Sequence, residues 1–498
     1  MATDQSLSAA EPEELPGGSV DTITDPSVDF DRWYTDVVLK AELADYSGVR
    51  GCMVIRPYGY ALWENIRNAL DSMIQETGHE NAYFPIFIPE RYLLQEAEHV
   101  EGFSPQVAWV THGGGRQLEQ RLAVRPTSEA IIGSVYARYI QSYRDLPVLI
   151  NQWANVVRWE LRTRLFLRTM EFLWQEGHTF HATSVEAEEE TARMLEVYCT
   201  LSREWLALPV LTGRKSAAEK FAGADYTLAV EAMMRDGFGL QAATSHNLGQ
   251  NFTRAYAVEF TDRDNLRKHP YSTSWGMSTR IVGALVMAHG DQRGLILPPM
   301  VAPVQVVVIP IFRDSAAREQ LARQLEPLLA EFKARGIRAK VDWRDQVSPG
   351  AKFAEWELKG VPLRLEFGPR DLATEQLTLV DRIDLLRRPI PIQGCVEQVA
   401  KLLLDFHHRL HKVALDFRQA HRLEASSLDQ ARQWLASTPN GGGFVDLCWC
   451  GSQSCEGTID EIAAGVTCRL ILEQDGEEQP CVVCATRTRI KATFARSY

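Results

Sequence analysis

The sequence predicts an α+β chain of several domains, and three observations carry that prediction. Its 498 residues exceed what one ordinary hydrophobic core serves. Residues 151–179 alternate apolar and polar in two strand-like runs joined by a short polar turn, the pattern of an antiparallel hairpin. Beyond Pro298, Pro299 and Pro303, strand-like and helix-like stretches alternate, which predicts a separate α/β unit with a largely parallel sheet. The expected divisions are a disordered tail over 1–28 and folded units over 29–302, 303–405 and 406–498. A 45% hydrophobic content without a membrane-length apolar run predicts a soluble globular protein with no membrane partner. The net charge of −12 argues against a broadly basic nucleic-acid coat and leaves room for a local basic groove. Nine cysteines without a secretory signal point to a reducing compartment, most simply the cytoplasm.

Residues 1–28 are acidic, rich in Pro, Gly, Ser and Thr, and poor in aromatics, so little burial can offset the entropy of ordering them. After Arg56-Pro57, Leu62, Ile66, Leu70 and Ile74 recur at helical spacing, and a strand over 81–88, interrupted by Pro85, should follow. Thr127-Ser128-Glu129 before Ala130-Ile131-Ile132 reads as a helix start. On an extended segment the same Thr127 and Glu129 would point one way and could each take one N–H of a secondary ammonium. In the hairpin, Arg158, Glu160, Arg168 and Phe172 fall on or near one face. Guanidinium forks suit phosphate oxygens, a carboxylate can accept from an exocyclic amine, and an aromatic ring can stack on a base for about 1–3 kcal/mol. An ATP site and an exposed hairpin laced with ion pairs both fit those residue types. Trp174, Glu176 and His178 alternate, so they share one side of the second strand, where an indole would offer a flat apolar wall. Thr183 and Glu186 form a capping box for a helix carrying Met194, Tyr198, Leu201 and Trp205. The stretch 213–220 is a basic, glycine-led loop.

In the second unit, strands are expected over 304–310, 337–343 and 362–368, with helices over 315–335 and 352–358. Arg344, Lys352, Glu355, Lys359 and Arg370 could meet nucleic-acid edges and phosphates, or form a solvated charged face. Leu402, Phe406, Leu410 and Val413 mark a long helix. The cysteines near the end form two chelating pairs, Cys481 with Cys484 and Cys455 with Cys450 or Cys448, enough for a closed four-thiolate zinc site; reduced free thiols are the alternative.

Arg158-Trp159-Glu160 followed by Arg168-Thr169-Met170-Glu171-Phe172 resembles motif 2 of the class II aminoacyl-tRNA synthetases. Arg125-Pro126-Thr127-Ser128-Glu129, the run from Phe172 to His178, and Thr244-Ser245-His246-Asn247-Leu248-Gly249-Gln250-Asn251-Phe252 are similar to prolyl-tRNA synthetases of the archaeal and eukaryotic type. The likeness extends from about residue 30 to 498. It implies a class II catalytic domain with an antiparallel sheet, an anticodon-binding α/β domain and a small zinc-binding C-terminal domain. Implied substrates are L-proline, ATP with Mg2+, and tRNA(Pro); the implied reaction forms prolyl-adenylate and transfers proline to tRNA.

For proline the resemblance implies Thr127, Glu129, Arg158, Trp174, Glu176, His178, Phe221 and His246. For ATP it implies Arg158, Glu160, Arg168, Thr169, Phe172, Gln241, Thr244, Ser278 and Arg280, with Arg158 and Arg280 as the catalytic pair. Arg280 closes a segment, Ser274-Trp275-Gly276-Met277-Ser278-Thr279-Arg280, that resembles motif 3. The helix after Pro57 and the strand with Pro85 resemble motif 1, which implies a homodimer. Among the cysteines the resemblance selects Cys450, Cys455, Cys481 and Cys484 for structural zinc. It also implies a tail, ending at Tyr498, that folds back on the catalytic domain, and no editing insertion between His178 and Ser274. A synthetase-like paralogue that loads proline on a carrier, or a regulatory binding protein, is the alternative expectation.

Overall fold

Asp29 starts the first helix by accepting from Arg32 N at 2.9 Å, and α1 (Phe30–Lys40) then buries Trp33, Tyr34, Val37 and Val38 along one face. α2 (Pro57–Glu76) begins on a proline, whose missing N–H would have no helical partner there anyway. Its Leu62, Ile66, Leu70 and Ile74 are buried as their spacing predicts. Burying each such side chain contributes roughly 1.5–3 kcal/mol, so Ile66→Ala should cost about 2–5 kcal/mol. The computed structural model describes residues 23–99, 106–473 and 477–498. Most of the tail expected over 1–28 therefore lies outside the described residues; from Thr24 the chain is tied down, with its N and Oγ1 donating to Asp36 at 2.9 and 2.7 Å.

The principal sheet has eleven strands. In chain order these are β1 (Glu80–Asn81), β2 (Val148–Val157), β3 (Glu171–His181), β4 (Val210–Arg214), β5 (Tyr226–Met233), β6 (Gly239–Gly249), β7 (Tyr271–Ser278), β8 (Arg422–Glu424), β9 (Phe444–Cys448), β10 (Val466–Glu473) and β11 (Ile490–Arg496). Across the sheet the order is β8-β9-β11-β10-β4-β5-β6-β7-β3-β2-β1, antiparallel except for the outermost pair at each edge. The strand expected over 81–88 is two short pieces in different sheets, Glu80–Asn81 and Phe87–Pro89, because Pro85 cannot donate to a ladder.

Three helices frame this sheet: α3 (Glu129–Tyr139), α4 (Ser184–Thr200) and α5 (Arg280–His289). The capping box forms as expected, with Glu186 N donating to Thr183 Oγ1 at 3.3 Å and Thr183 N to the Glu186 carboxylate at 3.1 Å. Met194 and Tyr198 of α4 and nearly all of α5 share one core with Val230, Leu240, Trp275 and Met277 of the sheet. Tyr198 donates to Gln175 Oε1 at 2.7 Å, so that residue of β3 faces the helices. Its neighbours Trp174 and Glu176 must then face the other way.

The second unit has a five-stranded sheet in the order Ala339–Val341, Val306–Pro310, Leu363–Phe367, Gln376–Asp381, Arg387–Pro391. The expected strands and helices form, but the sheet is mixed: the first three strands run parallel and the last two are added antiparallel. Only the five-residue helix Pro369–Ala373 stands between the third and fourth strands and none between the last two, connections too short for a parallel crossover, so both pairings are antiparallel. Lys352 is buried with Nζ donating to Asp342 O at 3.0 Å, Arg344 pairs with Asp342 and Glu355, and Lys359 reaches Glu42 at 2.6 Å, so these charges brace the fold. α6 (Cys395–Ala420) buries Phe406 and Leu410 in the same core as Val396 and Leu403, and the division expected at 405 falls inside this unbroken helix.

Candidate active site

The chain between β2 and β3 decides how the site is built. Residues 158–170 form a folded hook rather than a short turn. Leu165, Phe166 and Leu167 are buried, Phe166 takes a φ of 59°, and Arg164 and Arg168 exchange backbone hydrogen bonds of 2.7 and 2.9 Å. Arg158, Glu160 and Arg168 therefore stand on the hook and not on the strands. The apolar Leu165-Phe166-Leu167 continues the strand pattern in sequence, which hides the reversal.

A pocket of about 480 Å³ opens over the sheet. Thr127, Glu129, Arg158, Phe172, Trp174, Glu176, His178, Phe221, Gln241, Thr244, His246, Ser278 and Arg280 all line it. Glu160, Arg168 and Thr169 are not in that lining: Arg168 Nε pairs with Glu160 at 3.3 Å on the hook, and Thr169 is buried. Glu129 is the first residue of α3, so the helix start and the pocket placement hold together. Ser128 occupies the N-cap position but makes no cap; its hydroxyl donates to Glu176 Oε1 at 2.5 Å and its N–H to Oε2 at 3.2 Å. Thr127 Oγ1 donates to the Glu129 carboxylate.

Glu176 and His178 form a buried ion pair at 3.2 Å. Burial opposes the carboxylate's charge, but His178, Ser128 and Gln152 outweigh it and hold Glu176 below the usual carboxylate range. Burial likewise works against a charged His178, and Glu176 and Glu129 outweigh it, so the imidazole is held above its ordinary value. His246 is the opposite case: burial, with Arg158 and His178 adding repulsion, pulls it down to about 3. The neutral ring is fixed by Thr227 Oγ1 at 2.9 Å and Thr244 Oγ1 at 3.0 Å, and its face meets Phe221 with centroids 4.8 Å apart.

Arg158 donates through Nε to Pro126 O at 3.0 Å and lies against the Phe172 and Trp174 rings at 5.5 and 5.2 Å. Burial lowers its pKa, with Glu129 and Glu176 working in the opposite direction. Arg280 donates to Leu167 O at 2.9 Å, which ties it to the hook. Burial and then repulsion from Arg158 and Arg168 bring Arg280 down to about 10, so it stays protonated at neutral pH. The pocket thus joins an acidic, aromatic-walled end to an end where guanidinium charge exceeds carboxylate charge. An anion entering between Arg158 and Arg280 would relieve that repulsion.

Three family descriptions match the chain: "tRNA synthetase class II core domain (G, H, P, S and T)" over residues 109–289, "Anticodon binding domain" over 305–402, and "Prolyl-tRNA synthetase, C-terminal" over 433–498. A proline–tRNA ligase of Symbiobacterium thermophilum is 50% identical over 483 residues, covering 96% of this chain and 99% of that protein. The chain belongs to the prolyl-tRNA synthetase family. Within that family, proline–tRNA ligase 2 of Clostridioides difficile is 48% identical, with coverage of 96% and 98%. The crystal structure of prolyl-tRNA synthetase from Cryptosporidium parvum, complexed with halofuginone and AMPPNP, superposes with a TM-score of 0.90 at 38% identity. It covers 96% of this chain and all of that one.

Several residues of this prolyl-tRNA synthetase pocket escape a reading of sequence. Gln152 donates to Glu176 Oε1 at 2.7 Å and lies opposite it in the β2–β3 register; a glutamine on an apolar strand was the signal. Glu219, Thr227 and Trp275 also border the space, and nothing in their spacing announces it.

At the far end of the chain the four sulfurs of Cys450, Cys455, Cys481 and Cys484 lie within 4.8 Å of one another. A tetrahedron of Zn–S bonds near 2.3 Å puts sulfurs about 3.8 Å apart, and Cys484 and Cys450 already stand at 3.7 Å. Cys448 is turned away, with Sγ 3.0 Å from Gln479 Oε1. The donor set therefore fits zinc, and it comprises the residues that the resemblance selects.

Proposed function

We propose that this pocket activates L-proline with ATP and passes the prolyl group to tRNA(Pro), with the residue roles that follow. The observation that carries the reading is the convergence of Thr127, Glu129, Arg158, Trp174, Glu176, His178, Phe221 and His246 on one concave space. Thr127 and Glu129 accept the two N–H groups of the secondary ammonium. Trp174, Phe221 and neutral His246 wall the pyrrolidine ring, while the Glu176–His178 pair fixes that wall from behind. Arg158 holds the proline carboxylate against the α-phosphate and follows the charge that develops there as the carboxylate oxygen attacks and pyrophosphate leaves. Phe172 stacks on adenine, Gln241, Thr244 and Ser278 meet ribose or phosphate oxygens without adding charge, and Arg280 takes the outer phosphates. Glu160, Arg168 and Thr169 act from the hook, where opening of the Arg168–Glu160 pair would free a cation for phosphate and a carboxylate for the adenine amine. Magnesium would arrive with the triphosphate and supply charge neutralisation there, and the uncharged oxygens of Gln241 and Thr244 would be the lining groups suited to a hard cation. No protein nucleophile is needed.

The remaining assignments have their own supports. Cys450, Cys455, Cys481 and Cys484 hold a structural zinc, which leaves no open position for catalysis. Tyr60, Tyr83 and Phe87 stand exposed along the segment that resembles motif 1, and a second copy would cover them in a homodimer. None of the described helices is long and apolar enough to cross a membrane, in line with an enzyme working beside tRNA in the cytoplasm. The working units are 29–302, a second that runs from 303 through α6, whose Phe406 and Leu410 belong to its core, and a C-terminal one from β8 onward. The enzyme lacks an editing site of its own: the run from His178 to Ser274 is taken up by α4, β4, β5, β6 and short elements beside them. Alanine is smaller than proline, and each missing methylene discriminates by only about 1–3 kcal/mol.

Aminoacylation of purified tRNA(Pro), run with proline against alanine, cysteine and threonine, tests the reading. Charging should be most efficient with proline. Failure to charge tRNA despite proline-dependent pyrophosphate exchange would favour the carrier-loading alternative. Incubation of alanyl-tRNA(Pro) with the enzyme tests the editing assignment: release should stay at the spontaneous rate.

A further inference from the structure

The segment 213–221, the end of β4 and the loop after it, borders the pocket through Glu219 and Phe221, yet its other side rests on the C-terminal unit. Ser216 is fully buried, and its hydroxyl donates to Glu456 Oε1 at 2.5 Å; Glu456 is only 4% exposed. The carbonyl of Ser216 accepts in turn from Glu219 N at 3.2 Å and Lys220 N at 3.0 Å. Glu456 therefore grips the residue around which the pocket-facing turn is wound. Phe221, at the end of that turn, donates its N–H to Thr227 Oγ1 at 3.0 Å, the hydroxyl that also fixes His246.

The rest of the loop is seated on the same unit. Lys215 Nζ donates to Glu231 at 2.9 Å, and Arg469 reaches the same oxygen at 2.8 Å from β10. A Cβ on Gly213 would stand 2.5 Å from the Ile471 carbonyl, so glycine lets the two backbones meet there. A buried carboxylate is costly unless its hydrogen bonds are used, and an apolar side chain would fill the space at less cost. What a carboxylate adds at position 456 is one defined geometry for Ser216. Cys455 precedes it on the helix Gln453–Asp460, so the cysteine cluster anchors the element that presents it.

We propose that Glu456 and Ser216 are positioning residues: through them the C-terminal unit sets the turn that carries Glu219 and Phe221, and with it the proline end of the pocket. Neither side chain touches substrate. This inference rests on the proline-activating reading of the pocket. Its consequence is a split between substrates, because the loop walls the amino-acid end while the outer phosphates lie towards Arg280.

Proline- and ATP-dependence of pyrophosphate exchange, measured for Ser216→Ala, Glu456→Ala, the double variant and Glu456→Gln, tests it. Each single alanine variant should raise KM for proline about tenfold, with kcat and KM for ATP within about twofold of the parent, the scale of one buried charge-assisted hydrogen bond. The double variant should be no worse than either single one. Glu456→Gln, whose amide oxygen still accepts from Ser216, should return towards the parent KM. If Glu456→Ala does not fold, Ser216→Ala, which removes one oxygen and leaves Glu456 in place, decides alone. A parent-like KM for proline in Ser216→Ala, equal changes in both substrates, or losses that add in the double variant would overturn the inference. A parent enzyme without proline-dependent exchange would instead overturn the pocket reading itself.

Discussion

Arg158 is held by Pro126 O and two aromatic faces, and no carboxylate among the described residues stands at hydrogen-bonding distance, so its charge remains available for a ligand anion. Arg158→Ala should therefore lower proline-dependent pyrophosphate exchange by at least ~10²-fold, the scale for one preorganised electrostatic group, while the circular dichroism spectrum stays unchanged. Exchange near the parent rate would contradict the assignment. Residues such as Arg158, Trp174 and His178 were legible because they sit in long motifs whose side chains line the pocket. Ser128 was not, since its side chain acts through Glu176 and serine is common on any surface, and Gln152 left only the mark of a glutamine on an apolar strand. Thr127 and Glu129 show why two sequence readings need not exclude each other: Glu129 opens α3, and the helix start itself turns both side chains into the pocket.

Helices announced themselves wherever burial and capping agreed. α2 buries the face that its spacing predicts, and α4 begins at its capping box and buries Met194 and Tyr198, but it ends at Thr200, so that Leu201 and the half-buried Trp205 fall in a π-helical turn beyond it. The hook over 158–170 was illegible, because Leu165-Phe166-Leu167 has the composition of a strand and only tertiary burial reverses the chain there. The cysteine cluster lies between these cases. Spacing offered two chelating pairs but left Cys448 and Cys450 level, and the fold separates them by turning Cys448 towards Gln479. Replacing Cys481 and Cys484 by Ser should remove bound zinc and lower the thermal midpoint, since a structural zinc site contributes folding energy. Elemental analysis of parent and variant, run beside thermal unfolding, checks both halves; a parent without zinc would refute the site.

At the scale of the whole molecule, the feature least visible in sequence is that the C-terminal unit extends the catalytic sheet, with Ile471 of β10 opposite Arg214 of β4. Pairing between strands some 250 residues apart leaves no periodic mark. The fold's acid sensitivity is also collective. Burial pulls His181, His246 and His289 down to about 4, 3 and 3, whereas in the unfolded chain each titrates near 6.5. Below pH 6.5 the unfolded chain thus binds more protons, so stability falls with acidification by up to about 1.4 kcal/mol per pH unit for each histidine. His178, whose folded value is raised, has the opposite sign: its contribution is complete below 6.5 and is lost as pH rises through the folded value. Urea midpoints should drop steeply between about pH 6.5 and 4.5, and a flat profile would contradict the burial of these rings. The last strand ends in a tail that most chains would leave frayed. Here Tyr498 N donates to Gly239 O at 3.1 Å, its hydroxyl bonds Asp236, and Arg164 of the hook lies over its ring at 5.3 Å. Arg469, which shares Glu231 with Lys215, also donates to Ser497 Oγ at 2.9 Å. Removing Ser497 and Tyr498 takes a support from the hook that carries Arg168 and meets Arg280, but leaves β11 paired on both sides. The truncated enzyme should stay folded and lose about tenfold in pyrophosphate exchange, the scale of one or two buried hydrogen bonds. Full activity after truncation would make the docked tail an ordinary chain end.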